Sequence, residues 1–194
     1  MRDEFYADRR DLWKWTVALN EAAERKIIYV AMYTRRRVPA FPKGIREDVR
    51  NFFVQEREEL DQELKCSRIC RLSKEIVPFV EPYDSRIADV YFGDVCNLIR
   101  FRANEENYLV FVDPDTGIAE SNPKPEHVSL KHLALLWSTM HSGDKLLVYQ
   151  HNLREKREKW TSRKRGQLGT ALQVKEAAVK NEHHADVCFF CISK

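Results

Sequence analysis

Two rhythms of apolar residues alternate along this chain. Leu12, Trp15, Leu19, Ala22 and Ala23 recur at helical spacing and predict a helix over residues 9–25. Ile27 to Met32 is an unbroken run of β-forming residues, which predicts a short strand buried on both faces. Residues 38–44 carry two prolines and a glycine and read as a loop. A charged amphipathic helix is expected over 45–65, around Val49, Phe52, Phe53, Leu60 and Leu64. Ile76 to Val80 reads as a second strand closed by Glu81-Pro82, although Pro78 is unusual inside a strand.

The pattern is clearer in the second half. Ala88 to Phe92 reads as a short strand ending at Gly93-Asp94, and Val95 to Phe101 as a short helix. Tyr108 to Val112 is the strongest strand in the chain and runs straight into Asp113. Ser129 is placed to cap a helix through Met140 whose apolar face is Leu133, Leu136, Trp137 and Met140. After a turn at Gly143-Asp144, Lys145 to Tyr149 forms another strand, a basic helix follows, and a last strand covers 187–192. Strands separated by helices imply right-handed βαβ crossovers. The expectation is one α/β domain over residues 1–194, with a mostly parallel, Rossmann-like sheet flanked by helices on both faces.

Composition narrows the class. At 194 residues the chain fits one domain. No window approaches the ~18 to 20 apolar residues of a membrane span, and Met1-Arg2-Asp3-Glu4 is not followed by the apolar run of a signal peptide. A cytoplasmic protein without membrane contact is expected, and the oligomeric state is left open. The five cysteines read as reduced thiols. Cys188 and Cys191 have CxxC spacing inside an apolar strand, where side chains three apart point to opposite faces and do not share a zinc. The four tryptophans, Trp13, Trp15, Trp137 and Trp160, lie on helical segments and read as packing residues. The net charge of +3 is too mild to name a partner, but its distribution is uneven. Arg35-Arg36-Arg37 and the run of Arg154, Arg157, Arg163 and Lys164 are candidate phosphate contacts, so nucleic acid is a candidate partner.

In open parallel sheets the ligand site lies at the carboxyl ends of the strands. Three such ends carry conspicuous polar residues: Phe92-Gly93-Asp94, Asp113-Pro114-Asp115-Thr116-Gly117 and Gln150-His151-Asn152. Each has an ordinary structural reading, since Asp-Pro-Asp-Thr-Gly makes a tight turn, Asp94 can cap a helix and His151 can be a satisfied edge residue. Their convergence is the functional signal.

A strand ending in Gly-Asp, a short helix and an apolar strand ending in Asp-Pro together resemble the middle of Rossmann-like S-adenosylmethionine-dependent methyltransferases. The segment Asp8 to Trp15 before the first strand resembles the opening of the ribosomal-RNA adenine-N6 methyltransferases and the three-Cys-motif partner proteins. More closely, the chain resembles a bacterial and phage family with three landmarks. These are D-x-x-K-W, DPD-[TN]-G-[IL] and V-Y-Q-H followed by Arg; here they are Asp11 to Trp15, Asp113 to Ile118, and Val148 to His151 with Arg154. That family implies a fold and no particular activity. The methyltransferase resemblance implies that Asp94, with Asp11 and Lys14, serves the cofactor and that Asp113 and Pro114 face a substrate amine. One departure is plain: the first strand is followed by Tyr33-Thr34-Arg35-Arg36-Arg37, with no glycine before Gly44. The glycine-rich turn that lets a backbone approach the cofactor is missing.

Three functions are compatible with this reading. The first is a methyltransferase-like enzyme acting on nucleic acid with S-adenosylmethionine, with Asp113, Pro114, Asp115 and His151 at its catalytic loop ends. The second is a Mg²⁺-dependent nuclease or phosphoryl-transfer enzyme using Asp94, Asp113 and Asp115 with His151 as base. The third is a non-catalytic nucleic-acid- or protein-binding module on a degenerate methyltransferase fold.

Overall fold

A computed structural model describes residues 9–32, 72–79, 81, 83–102, 106–119, 124, 126–151, 155–175, 177–180 and 187–194. In chain order these form α1 (Arg9–Ala22), β1 (Lys26–Ala31), β2 (Ile76–Phe79), a 3-10 turn (Ser85–Ile87), α2 (Ala88–Arg102) and β3 (Tyr108–Asp113). Then come β4 (Gly117–Ile118), β5 (His127–Val128), α3 (Leu130–Thr139), β6 (Lys145–His151), α4 (Arg157–Leu172), β7 (Ala178–Lys180) and β8 (Val187–Ser193). The loop expected at 38–44 and the helix expected at 45–65 lie outside the described residues.

Six strands make one sheet in the order β2-β1-β3-β6-β8-β7, and β4 and β5 pair separately. β2, β1, β3 and β6 are parallel to one another, while β8 is antiparallel to both β6 and β7. The chain is therefore an α/β fold on a mostly parallel sheet. Ile27 to Val30 and all of β3 are buried, as unbroken apolar runs require at the centre of such a sheet. Pro78 sits on β2, an edge strand, where a missing N–H can face away from the ladder.

The two faces of the sheet carry separate cores. On one, α1 sets Ala18 and Ala22 against Ile27, Tyr29, Leu109, Phe111, Leu147, Tyr149 and Phe189. On the other, α2, α3 and α4 cover Ile28, Val30, Val110, Val112, Val148 and Phe190, with Trp160 fully enclosed. Alternation along each strand assigns these sets, because successive side chains point to opposite faces. Cys188 and Cys191 accordingly fall in different cores. Among the described residues no helix is long and apolar enough to cross a membrane.

One expected strand is a helix. Ala88 to Phe92 opens the 15-residue α2, whose buried positions Ala88, Tyr91, Phe92, Val95, Cys96 and Ile99 recur every three or four residues. Over the five residues Ala-Asp-Val-Tyr-Phe, helical and strand periodicities are easily confused, and only the continuation to Ile99 separates them. The predicted N-cap at Ser129 holds: its side chain accepts from His132 N.

α2 and α3 are clasped by charge. Asp89 accepts from Lys131 Nζ at 2.9 Å and from His132 Nε2 at 2.8 Å, and the His132 ring stacks on Phe92 at 4.4 Å between centroids. Lys131 and then His132 hold the Asp89 carboxyl below its ordinary value of 3.8. A depressed acid contributes stability above its unfolded pKa and loses it as pH falls through the folded value. The clasp is thus intact at neutral pH and released below the ordinary aspartate range. A pH series of denaturant midpoints should fall more steeply at the acid end for the native protein than for Asp89→Asn; identical acid limbs would place the pH dependence elsewhere.

Candidate functional site

β1 is followed in sequence by β2 on one side of it, while β3 lies on the other. The carboxyl ends of β1 and β3 are therefore a topological switch point, where open α/β sheets bind ligands. Asp113, the last residue of β3, sits at this point, and its carbonyl accepts from Met32 N just beyond β1 at 3.2 Å. Its side chain is fully buried and follows Phe111 onto the α1 face of the sheet.

There it meets the N-terminal landmark. Lys14 Nζ of α1 lies 3.0 Å from Asp113 Oδ1 and donates to Oδ2 at 3.2 Å. The Tyr29 hydroxyl donates to the same Oδ2 at 2.8 Å. The Lys14 ammonium also stands 4.3 Å from the centre of the Tyr149 ring, within cation–π range. The Tyr149 hydroxyl in turn pairs with His151 Nε2 at 3.0 Å. Lys14 and Asp113 are nearly inaccessible, whereas His151 is half-buried and closes the group toward solvent. An ion pair in such surroundings needs hydrogen bonds as well as charge to offset its desolvation, and Tyr29 supplies one. Trp15, edge-on to Tyr29 at 4.8 Å and to Phe111 at 5.8 Å, walls the group from the α1 side.

The loop after Asp113 is pinned from the other side of the sheet by Gln150, which alternation turns away from Tyr149 and His151. Gln150 Oε1 accepts from Ile118 N at 2.8 Å, and Nε2 donates to the carbonyls of His151 at 2.8 Å and Thr116 at 3.3 Å. His151 N completes the clamp by donating to Thr116 O at 3.1 Å. Gly117 has φ +123°, and a Cβ there would lie 2.5 Å from Gln150 Cδ, so both backbone and space require glycine. Lys164 of α4, fully buried, donates to the carbonyls of Ile118 at 2.9 Å and Ala119 at 3.2 Å. The three landmarks thus meet in space: Lys14 on Asp113, Gln150 under Gly117, and His151 beside the loop.

Several expected site residues stand elsewhere. Asp94 does not follow a strand. It lies within α2, exposed on the outer side of a helix that covers the sheet face opposite to Lys14 and Asp113. It therefore joins neither the expected cofactor site nor a three-acid metal site. Among the described residues no group of three or more His, Cys, Asp or Glu side chains is placed to hold a metal ion. Pro114 is buried and Asp115 half-buried, both within the pinned loop. Asp11 lies on α1 one turn before Lys14. Three cations of the basic run are held by partners within the chain. Lys164 is inaccessible, Arg163 pairs with Glu155 at 3.0 Å, and Arg157 donates to Val187 O at 3.2 Å. Lysine and arginine stems pack as hydrocarbon, which lets a helix bury a cation whose head finds oxygens. Arg35, Arg36, Arg37 and Arg154 lie outside the described residues.

In the sequence Tyr29 is only a strand former and Tyr149 a strand residue within the V-Y-Q-H landmark, and their roles depend on which face each strand presents. Glu81 is a further candidate: it follows β2, exposed, where the acid after the second strand of a doubly wound sheet meets a ribose hydroxyl. Its signal was the Glu-Pro that closes the strand. Comparison of the chain with family models gives no match, and neither does comparison with curated proteins or with solved structures.

Proposed function

We propose that this chain is a methyltransferase-like enzyme that uses S-adenosylmethionine on nucleic acid. The observation that carries the reading is the meeting of Lys14, Asp113 and the clamped Asp-Pro loop at the β1/β3 switch point. The sheet supports it, since a mostly parallel sheet flanked by helices on both faces is what the methyltransferase resemblance implies.

Of the contacts a nucleoside cofactor would need, one carboxylate is present among the described residues, and a positioned cation stands at Asp113. Glu81 beyond β2 offers a carboxylate to ribose hydroxyls. S-adenosylmethionine, when bound, supplies an electrophilic methyl group. Asp113 is fully buried and bound through Oδ2 by Lys14 and Tyr29, so it serves the substrate by holding the Lys14 ammonium in place. Gln150 and Lys164 keep the loop from shifting, which matters because transfer between two bound groups depends on orientation more than on base strength.

Isothermal calorimetry against S-adenosylmethionine tests the reading. Binding should weaken about ten-fold in Glu81→Ala, the loss of one charged hydrogen bond, and stay unchanged in Asp94→Ala, whose side chain is on the outer helix face. A flat titration with the native protein would sink the proposal.

A further inference from the structure

α4 presents a row of polar positions to solvent. Lys159, Ser162, Gly166 and Thr170 are exposed along one side of the helix, with Arg165 half-exposed beside them and Lys175 exposed just past its end. From Lys159 to Lys175 the sequence contains no acid. Glu158 is exposed before this stretch, and Glu155 is taken by Arg163. The second half of the surface is a groove of about 340 Å³ lined by Arg165, Gly166, Gly169, Thr170, Val174 and Lys175.

Gly166 is the informative residue. Glycine inside a helix is destabilising relative to alanine, so a mid-helix glycine calls for a reason. Positive φ is not the reason, for among the described glycines only Gly117 and Gly143 adopt it. Packing is not the reason either, because a Cβ at Gly166 would meet nothing within 4 Å. Gly169 differs, since its Cβ would press on Val174 O at 3.1 Å. Gly166 leaves open space on the helix surface in a groove lined by a guanidinium and an ammonium, so a chain from outside can approach closely there.

We propose that this face of α4 is a track for a phosphodiester backbone, with Gly166 at the point of closest approach and Arg165, Thr170 and Lys175 donating to phosphate oxygens. At 1.5 Å per residue the helical part of the track, from Lys159 to Leu172, is about 20 Å long. The Arg165 and Lys175 charges and the Thr170 hydroxyl that line the groove favour a polyanion over an apolar peptide. The proposal deepens the nucleic-acid part of the proposed function by moving the expected contacts to other residues of the same helix.

Fluorescence anisotropy with labelled single-stranded RNA and DNA at about 50 and 200 mM salt tests it, because phosphate contacts make affinity fall with salt. The double variant Arg165→Gln, Lys175→Gln should bind about ten-fold more weakly, with a shallower salt dependence. Gly166→Met should raise the melting temperature and yet weaken binding several-fold, so a loss of fold cannot account for the loss of binding. The track is overturned if Gly166→Met binds like the native protein, if neither nucleic acid binds at the lower salt, or if phosphatidylserine vesicles bind in their place. Nucleic-acid binding with a flat S-adenosylmethionine titration would leave the track standing and remove the methyltransferase reading alone.

Discussion

Asp113→Ala should unfold this protein at a much lower denaturant concentration than the native chain, with a loss of about 3 to 5 kcal/mol, the range for breaking a buried ion pair from one side. The carboxylate is fully buried and Lys14 nearly so. Removing the acid leaves an ammonium facing the Tyr149 ring and a Tyr29 hydroxyl without its acceptor. Lys14→Met should cost a similar amount, because it leaves the charge of Asp113 with the Tyr29 phenol as its one hydrogen-bonding side chain among the described residues. The pair Lys14→Met, Asp113→Asn should recover much of either loss, since Tyr29 keeps an acceptor and no charge remains buried. Equilibrium urea unfolding of the native protein, Asp113→Asn, Lys14→Met and their pair completes the cycle. Losses that simply add would mean that the two side chains do not act as a unit, and the site as described here would be wrong.

The second large effect is expected at Gly117. Gly117→Ala places a methyl 2.5 Å from Gln150 Cδ on a backbone at φ +123°. A flexible neighbour would swing away, but Gln150 is held by Ile118 N, Thr116 O and His151 O. The substitution should cost about 2 to 5 kcal/mol, combining backbone strain with overpacking. Gln150→Ala in the same chain should relieve the overpacking and leave the strain. A melting temperature for Gly117→Ala within a degree of the native value would show that the loop is not clamped as the contacts indicate.

Which parts of this molecule were legible in the sequence follows from how far each signal reaches. β1, β3, β6 and β8 are apolar runs buried on both faces, and a run announces itself locally. α2 hid itself because apolar residues also occupy its outer side: Val90 is 60% exposed and Phe101 81%, which blurs the stripe that marks a helix. Divided into a strand and a helix, this segment places Asp94 at a strand end, whereas the single helix α2 places it on an outer face. Lys14 and Asp113 were each conspicuous, yet 99 residues separate them and no local pattern states that they touch. Lys164 was the hardest to read. Among six other cations in residues 154–165 it looks like surface, and only the packing of α4 on β4 turns it inward.

The place of β8 has a consequence for synthesis. It lies between β6 and β7, yet the ribosome makes it after both. Until it emerges, β6 has its outer edge bare and β7 has no neighbour among the strands already made, so the nascent sheet carries an open flank. The β8 segment, Val-Cys-Phe-Phe-Cys-Ile, is itself apolar and rich in β-formers, the kind of stretch that pairs with whatever edge it meets. Vectorial folding therefore stops short of this sheet's last step, and quality control has a defined interval, between the completion of β6 and the arrival of β8, in which to intervene.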